Sequence, residues 1–190
     1  MAHDNRPLRG CPRVCDDRRV QEPALAAELV ARMKLDQQAR RALDEADQLS
    51  NDGEAVRRVV EVDGDNTAWL HGVLAGGWPG RTKVGEDGAQ AAWLLCQHAD
   101  RDLALQRRAL VLLETAVAEG DAPARQLAYL TDRVLVAEQH KQRYGTQFLS
   151  VGSEMWVQPI EEPEGLDQRR AEMGLEPCEE YGRLMRSGFE

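Results

Sequence analysis

The ten residues AAWLLCQHAD (residues 91–100) decide how this chain folds, because their first nine positions carry no charge and no turn-forming residue. A helix that is apolar on every side is usually surrounded by other helices. The segment LAYLTDRVLVA (residues 127–137) has the same character, with Asp132 and Arg133 as its only charges. The two segments therefore predict two buried central helices in a compact bundle.

The composition of the whole chain also favours a mainly α protein. Its 190 residues are 42% hydrophobic but only 5% aromatic, and they are rich in Ala, Leu, Arg and Glu, which are strong helix formers. This length suits one domain with a sizeable core. We predict a single helical domain over residues 21–190. Residues 1–20, with five Arg, three Asp and few apolar residues, are predicted to be a disordered tail.

The net charge of −9 argues against a nucleic-acid partner, since binding a phosphate backbone requires clustered Lys and Arg. No apolar run approaches the roughly 20 residues that span a bilayer, and the first twenty residues lack the apolar segment of a secretory signal. We expect a cytoplasmic monomer or homodimer that acts on a small-molecule or peptide substrate, without a nucleic-acid or membrane partner.

Periodicity and capping signals predict the remaining helices. They are expected over Pro23 to about Asp47, Glu54–Val62, Thr67–Ala75, Asp87–Ala99, Asp102–Glu119, from Pro123 to about Ala137, Asp167–Met173 and Pro177–Arg186. Asp63-Gly64-Asp65-Asn66 predicts a turn, and residues 80–85 predict a loop. Asp100 is placed to cap the helix that follows it.

The segment YGTQFLSVGSEMWVQPI (residues 144–160) has extended character instead. It predicts a small β-hairpin or an ordered loop near residues 144–160, with Gly152-Ser153 at the turn and Pro159 confining the second strand to an edge.

The cysteines and histidines predict no metal centre. Four cysteines (Cys11, Cys15, Cys96 and Cys178) do not form a disulfide-dense pattern, and a cytoplasmic location keeps them reduced. Cys11 and Cys15 could hold a metal with two further ligands or could cross-link, but their charged flanks favour a disordered tail. The histidines have no ligand spacing, and no phosphate-binding, dinucleotide-binding or nucleophile motif occurs. We therefore expect no metal and no organic cofactor.

The polar residues on the two apolar helices need partners if those helices are buried. A buried charge is costly unless it is paired and hydrogen-bonded. Gln97 and His98 on one helix, with Asp132 and Arg133 on the other, are the obvious candidates. Such a network could fix only the packing of the helices, or it could form a site whose groups shift one another's pKa values.

Several short motifs in register resemble a bacterial domain-of-unknown-function family, number 6624, from about Leu25 to Tyr181. The motifs are Asp65-Asn66-Thr67-Ala68-Trp69-Leu70, Gly77-Trp78-Pro79, Gln97-His98-Ala99-Asp100, Ala128-Tyr129-Leu130-Thr131-Asp132-Arg133, Tyr144-Gly145-Thr146-Gln147, Leu166-Asp167-Gln168-Arg169-Arg170 and Gly174-Leu175. The resemblance implies no established reaction. It adds Asn66, Trp78, Tyr144, Thr146 and Gln147 to the candidate site.

Our main hypothesis is a small enzyme that performs acid-base chemistry, hydrolysis or elimination, on a polar or anionic small molecule or a modified peptide. In it, His98 is the general acid/base, oriented by Asp132 or Asp100. Arg133 holds a carboxylate or phosphate group of the substrate.

The remaining candidate residues would bind the substrate and support the reaction. Tyr144 and Gln147 stabilise developing charge, and Trp78 forms an apolar wall. For an enzyme we expect His98, Arg133 and Gln147 to converge on one concave pocket. The alternatives are a non-catalytic ligand-binding or immunity-like protein, and a scaffold whose polar network only specifies the fold.

Overall fold

The computed structural model describes residues 20–48, 52–151 and 154–187. Within these ranges the chain is mainly α-helical, as predicted, with seven α-helices and one antiparallel hairpin. The elements are α1 (Pro23–Gln48), α2 (Asp52–Ala75), α3 (Arg81–Gln97), α4 (Leu103–Ala118), α5 (Ala124–Ala137), β1 (Phe148–Val151), β2 (Glu154–Val157), α6 (Leu166–Glu172) and α7 (Cys178–Ser187). Apart from Val20, the predicted tail lies outside the described residues, together with Cys11 and Cys15.

Helix α3 is the centre of the bundle, which confirms the prediction made from its uncharged sequence. It packs against α1, α2, α4 and α5. Ala91, Ala92, Leu95 and Cys96 on this helix are at most 1% exposed. They share one core with residues of all four neighbours, including Leu29, Leu70, Leu113 and Leu130.

Helix α5 is the second buried helix, and it runs parallel to α3. Gln126 at its start donates to Gln90, and Arg133 near its end donates to Gln97. Ala128, Leu130 and Asp132 are fully buried. Because α1 also runs parallel to α3, the carboxyl ends of all three helices lie at the same end of the bundle.

The turn predicted at Asp63-Gly64-Asp65-Asn66 was wrong, because these residues lie inside the continuous helix α2. Glycine in a helix costs about 1 kcal/mol relative to alanine. Val62 and Leu70, on either side, are buried in the packed helices. Burial of this face outweighs the local preference for a turn.

The loop predicted over residues 80–85 was wrong for residues 81–84, which form a first helical turn of α3 before the non-helical Gly85. Asp121 lies beside the start of this helix and accepts hydrogen bonds from the backbone N–H and the hydroxyl of Thr82, both at 2.8 Å. Asp121, which is distant in sequence, thus caps the start of α3 in place of a neighbouring residue. Gly85, with φ of 73°, forms a kink within the helix.

Asp100 does not cap α4, contrary to the prediction. The cap is Asp102, whose Oδ1 accepts a hydrogen bond from the backbone N–H of Leu105 at 2.9 Å. Asp102 immediately precedes the first helical residue, where a capping side chain reaches the free N–H groups. Asp100 is consequently available for Arg133.

The predicted hairpin is confirmed, with Phe148 opposite Val157 and Leu149 opposite Trp156. Its predicted turn, Gly152-Ser153, lies outside the described residues. In the part of the chain that the structure describes, no helix combines the length and apolarity needed to cross a membrane. The two described cysteines, Cys96 and Cys178, are both free thiols.

Candidate functional site

His98 lies at the carboxyl end of α3, where its imidazole meets a carboxylate from α1. Nδ1 of His98 is 2.9 Å from each carboxylate oxygen of Asp36. Asp36 is only 1% exposed. It is buried because it follows Leu29 and Met33 at helical spacing, on the face that α1 turns towards α3.

Arg40 extends this contact to α2. Its Nε is 3.3 Å from Oδ1 of Asp36, and its second guanidinium nitrogen donates to Oδ1 of Asp63 at 2.7 Å. Nε of Arg40 is also 3.0 Å from Nδ1 of His98. Because Arg40 is always a donor, it cannot bond Nδ1 while that nitrogen donates to Asp36. Two close carboxylate oxygens favour the proton on Nδ1 of His98.

The charges in this group affect both carboxyl groups. Burial by itself would raise the pKa of Asp36, but the hydrogen bond from His98 and the positive charges of His98 and Arg40 outweigh it, so the pKa is lowered. Asp63 shows the opposite balance. Burial raises its pKa, and the nearby Arg40 only partly offsets this effect. Asp36 is therefore the firmly ionised member of the pair.

The second ring nitrogen of His98 is the chemically open position. No other described residue forms a hydrogen bond with Nε2, and the side chain is 17% exposed. In its neutral form, an imidazole that donates from Nδ1 to a carboxylate has a lone pair on Nε2, which can accept a proton. A histidine held in this way has the geometry that a general base requires.

A second polar group joins α3, α4 and α5 at the same end of the bundle. Nε of Arg133 donates to Oε1 of Gln97 at 3.1 Å, and its NH1 donates to Oδ1 of Asp100 at 2.7 Å. Gln106 donates to the same oxygen of Asp100 at 3.2 Å. Arg133 remains partly exposed, which lets it meet a ligand from solvent.

Asp132 belongs to a third group, and its carboxylate organises a loop. It accepts hydrogen bonds from the backbone N–H groups of Arg143, Tyr144 and Thr146, at 2.7 to 3.2 Å, and from the hydroxyl of Thr146 at 2.9 Å. Burial raises the pKa of Asp132, although these donors oppose the shift. The carboxylate thus holds the Tyr144-Gly145-Thr146 segment against α5.

Other buried polar residues complete this loop. Gln147 donates from its side chain to Oγ1 of Thr146, and its backbone bonds the buried side chain of Gln142. Arg170, which is fully buried, donates to the carbonyl of Tyr144 at 2.5 Å and to that of Glu176 at 2.6 Å. Burial raises the pKa of the Tyr144 hydroxyl.

The remaining two candidates lie elsewhere. Trp78 packs against the core just before α3 begins. It precedes α3, whereas His98 follows this helix, and the helical residues 86–97 alone span roughly 18 Å at 1.5 Å per residue. Asn66 lies on α2 and accepts a hydrogen bond from Arg32.

The predicted residues therefore fall into separate hydrogen-bonded groups, and the described structure does not bring His98, Arg133 and Gln147 together in the one pocket that we expected of an enzyme. Within the described ranges, no hydrogen bond or ion pair joins His98, Arg133 and Gln147 to one another. The carboxylate that contacts His98 is Asp36, whereas Asp132 bonds the loop and Asp100 bonds Arg133.

The sequence analysis missed Asp36, Arg40 and Asp63. A signal for two of them exists: the apolar spacing Leu29, Met33 continues to Asp36 and Arg40. Charged residues at core-facing positions of an amphipathic helix require buried partners. Asp63 had been assigned to a turn, which hid its position on α2.

No group of three or more His, Cys, Asp or Glu in the described ranges has an arrangement able to hold a metal ion. Residues 23–190 match the model of a family described as a family of unknown function, DUF6624. No curated protein and no solved structure matches the chain.

Proposed function

Since this chain belongs to the DUF6624 family, whose function is unknown, we propose a role from its own residues: a small acid-base enzyme with His98 as the proton-transfer group. Asp36 is its positioning residue. The reaction class is hydrolysis or elimination on a polar or anionic small molecule or a modified peptide. We further propose a bacterial, cytoplasmic protein, monomeric or homodimeric, without a membrane partner. Its net charge of −9 argues against a nucleic-acid partner.

The contact between His98 and Asp36 is the observation that carries this proposal. A carboxylate that is 1% exposed, with both oxygens 2.9 Å from Nδ1, orients the ring and stabilises the imidazolium formed when Nε2 takes a proton. Partial exposure of the ring gives Nε2 a route to solvent and substrate.

Arg40 and Asp63 support the same role. Arg40 places a permanent positive charge beside Asp36, which adds to the effect of His98 in keeping that carboxylate ionised. Asp63 balances the charge of Arg40 through a 2.7 Å ion pair. The orienting carboxylate thus retains its charge during proton transfer at His98.

Arg133 is the proposed anion-binding group. Its guanidinium is partly exposed, and it belongs to the hydrogen-bonded group that contains Gln97, the residue before His98. Asp100, its partner, is more than half exposed, so a substrate carboxylate or phosphate could displace it. Tyr144 and Gln147 are not part of this proposal, because their loop is bound to Asp132 and Gln142.

The test combines turnover with ligand binding. Purified protein is incubated with chromogenic esters, phosphate esters and amides, and a panel of anionic metabolites is screened by thermal shift. His98→Asn should lower turnover by about 100-fold or more. Asp36→Asn should lower kcat while changing KM little, and Asp36→Glu should restore part of the loss.

The chain offers a matched control. His71 also pairs with a carboxylate, that of Asp102 at 2.8 Å, but its side chain is half exposed on the surface. His71→Asn should leave turnover unchanged. Equal activity of wild type and His98→Asn would refute the proposal. Ligand-induced stabilisation that needs His98, with no turnover of any ligand that binds, would support the non-catalytic alternative instead.

A further inference from the structure

A small cavity lies between the hairpin and α7. Its volume is about 190 Å³, and its lining consists of Phe148, Val157, Cys178, Glu179, Gly182 and Arg186. Pockets that hold a whole small-molecule ligand usually have volumes of about 300 Å³ or more. A cavity of roughly 150 Å³, by comparison, holds one benzene ring. The size of this cavity therefore suits a single aromatic side chain.

The hairpin supplies an apolar wall of the cavity. Phe148 and Val157 are opposite each other on the two strands, so their side chains lie on the same face of the hairpin. Val157 is still 39% exposed. An exposed valine beside an aromatic ring favours an apolar occupant, because covering both side chains removes apolar surface from water.

One face of α7 forms the opposite wall. Cys178, Gly182 and Arg186 line the cavity and follow one another at intervals of four residues, so they lie on the same helical face. Gly182 is buried and has no side chain to fill the space. The guanidinium of Arg186 lies close to Gly182, since its two terminal nitrogens would be 3.4 and 3.5 Å from a Cβ there. This face of the helix leads from the cavity to the end of α7.

The chain carries an aromatic residue at the next position on this face. Residues 188–190 follow the end of α7 and lie outside the described residues. Phe189 is three positions after Arg186 and seven after Gly182, a spacing that places residues on one face of a helix. Three residues span at most about 10 Å. The ring of Phe189 can therefore reach a cavity that Arg186 itself lines.

The cavity also lies at the end of a row of aromatic contacts. The row joins α3, α5, α7 and β1 through edge-to-face pairs with centroid distances of 5.9, 6.0 and 5.6 Å: Trp93 with Tyr129, Tyr129 with Tyr181, and Tyr181 with Phe148. Such pairs contribute more to stability than the burial of their area alone. A further ring beside Phe148 would extend this row towards the surface.

We propose that Phe189 occupies this cavity and so fastens the end of α7 to the hairpin. Its ring lies between the hairpin side chains Phe148 and Val157 and the surface of α7 at Gly182. The docked ring covers the free thiol of Cys178, which is partly exposed without it. This inference does not depend on the function proposed for His98.

The first test is NMR on the full chain, in which Phe148 and Phe189 are the only phenylalanines. With protonated phenylalanine rings and valine and leucine methyl groups in an otherwise deuterated protein, the Phe189 ring should show NOEs to Phe148 and Val157. Leu184 offers a competing contact, because it is 58% exposed and lies two positions after Gly182, on the opposite side of α7.

Three results of this measurement would overturn the proposal. The first is an absence of NOEs between Phe189 and the hairpin. The second is that the ring contacts Leu184 instead. The third is that the NOEs to the hairpin arise only between labelled and unlabelled copies in a mixed sample, because a second copy would then fill the cavity.

Cysteine alkylation tests the same contact in variants of the full chain. Cys178 should react with iodoacetamide about fivefold or more faster in Phe189→Ala than in wild type, because the docked ring protects the thiol. Phe189→Leu should restore most of this protection. Leu184→Ala, which shortens an apolar side chain on the other side of α7, is the matched control and should leave the rate unchanged.

Cys96 is fully buried and reports global unfolding within the same samples. It should stay unreactive in every variant. Equal rates at Cys178 in wild type and Phe189→Ala would contradict the proposal. Should Phe189→Ala also expose Cys96, the NOEs of the wild-type protein decide.

Discussion

Asp36 and His98 are 62 positions apart in the sequence, yet both carboxylate oxygens of Asp36 lie 2.9 Å from Nδ1 of His98. The contact depends on α1 and α3 running parallel, since Glu22 bonds Lys83 at one end of the pair. A carboxylate in this position affects stability as well as the chemistry of the imidazole.

Asp36→Asn should destabilise the fold by about 2 kcal/mol at neutral pH, because His98 and Arg40 lose a charged hydrogen-bond partner. The pKa of Asp36 is lowered in the folded state. Its ionised form therefore stabilises the fold above the ordinary pKa of 3.8, and this contribution is lost as the pH falls through the lower folded value. Urea unfolding across this range measures the difference.

The difference in the free energy of unfolding between wild type and Asp36→Asn should accordingly become smaller at acidic pH. The matched control is Asp87→Asn, a change at an exposed position of α3, which should leave the free energy of unfolding nearly unchanged. A difference in the free energy of unfolding that stays constant from neutral pH to well below the ordinary pKa of 3.8 would contradict the ionised contact.

Asp132→Asn should loosen the loop after α5. The substitution replaces one acceptor oxygen by an NH₂ group that faces backbone N–H donors of the loop. We expect a loss of about 2 kcal/mol or more, with faster hydrogen exchange at Arg143, Tyr144 and Thr146. Asp167→Asn, which affects one exposed hydrogen bond to Cys178, should cost under about 1 kcal/mol. Similar costs for both variants would argue against Asp132 as the anchor.

Gly145→Ala should destabilise the protein more than Gly174→Ala. Both glycines have positive φ, 67° and 68°, so both substitutions carry a similar backbone penalty of about 1 kcal/mol. A Cβ at Gly145 would lie 3.2 Å from Sγ of Cys178 and 3.3 Å from Ile160, whereas the space at Gly174 is open. Thermal unfolding of the two variants compares the cost of the contacts at Gly145 with the open space at Gly174. Equal Tm values would contradict the close packing around Gly145.

Gly88→Ala and Gly72→Ala should change stability in opposite directions, although both glycines are helical. At Gly72 nothing lies within 4 Å of a new Cβ, so alanine should stabilise α2 by up to about 1 kcal/mol. At Gly88 the Cβ would lie 2.9 Å from Val84 and 3.3 Å from the backbone of Ala26 on α1, so we expect a loss of about 1 kcal/mol or more. A stabilised Gly88→Ala variant would show that α1 and α3 are not in close contact there.

Residue patterns alone were sufficient for the central part of the fold. Uncharged residues around every side of α3 predict burial without knowledge of the neighbours, and the same holds for most of α5. The hairpin also follows from local extended character. These features depend on hydrophobicity and periodicity, which are properties of a segment by itself.

The candidate site could be predicted only in part. His98, Gln97, Asp132 and Arg133 were singled out because polar groups on buried helices need partners. Their partners could not be identified, since hydrogen bonds between helices depend on helix order and register. Asp132 lies in a clear apolar helix pattern, but its carboxylate bonds the loop after α5. His98 therefore bonds a carboxylate on α1 and not Asp132.

Hydrophobicity and helical periodicity alone predict a helical bundle around α3, because burying its apolar residues is favourable in any arrangement of the other helices. Which charged residues come into contact depends on how the helices pack. The parallel packing of α1 on α3 places Asp36 beside His98, and the continuity of α2 places Asp63 beside Arg40. Hydrophobic burial is non-directional, whereas hydrogen bonds require positions within a fraction of an ångström, and only the packed helices provide them.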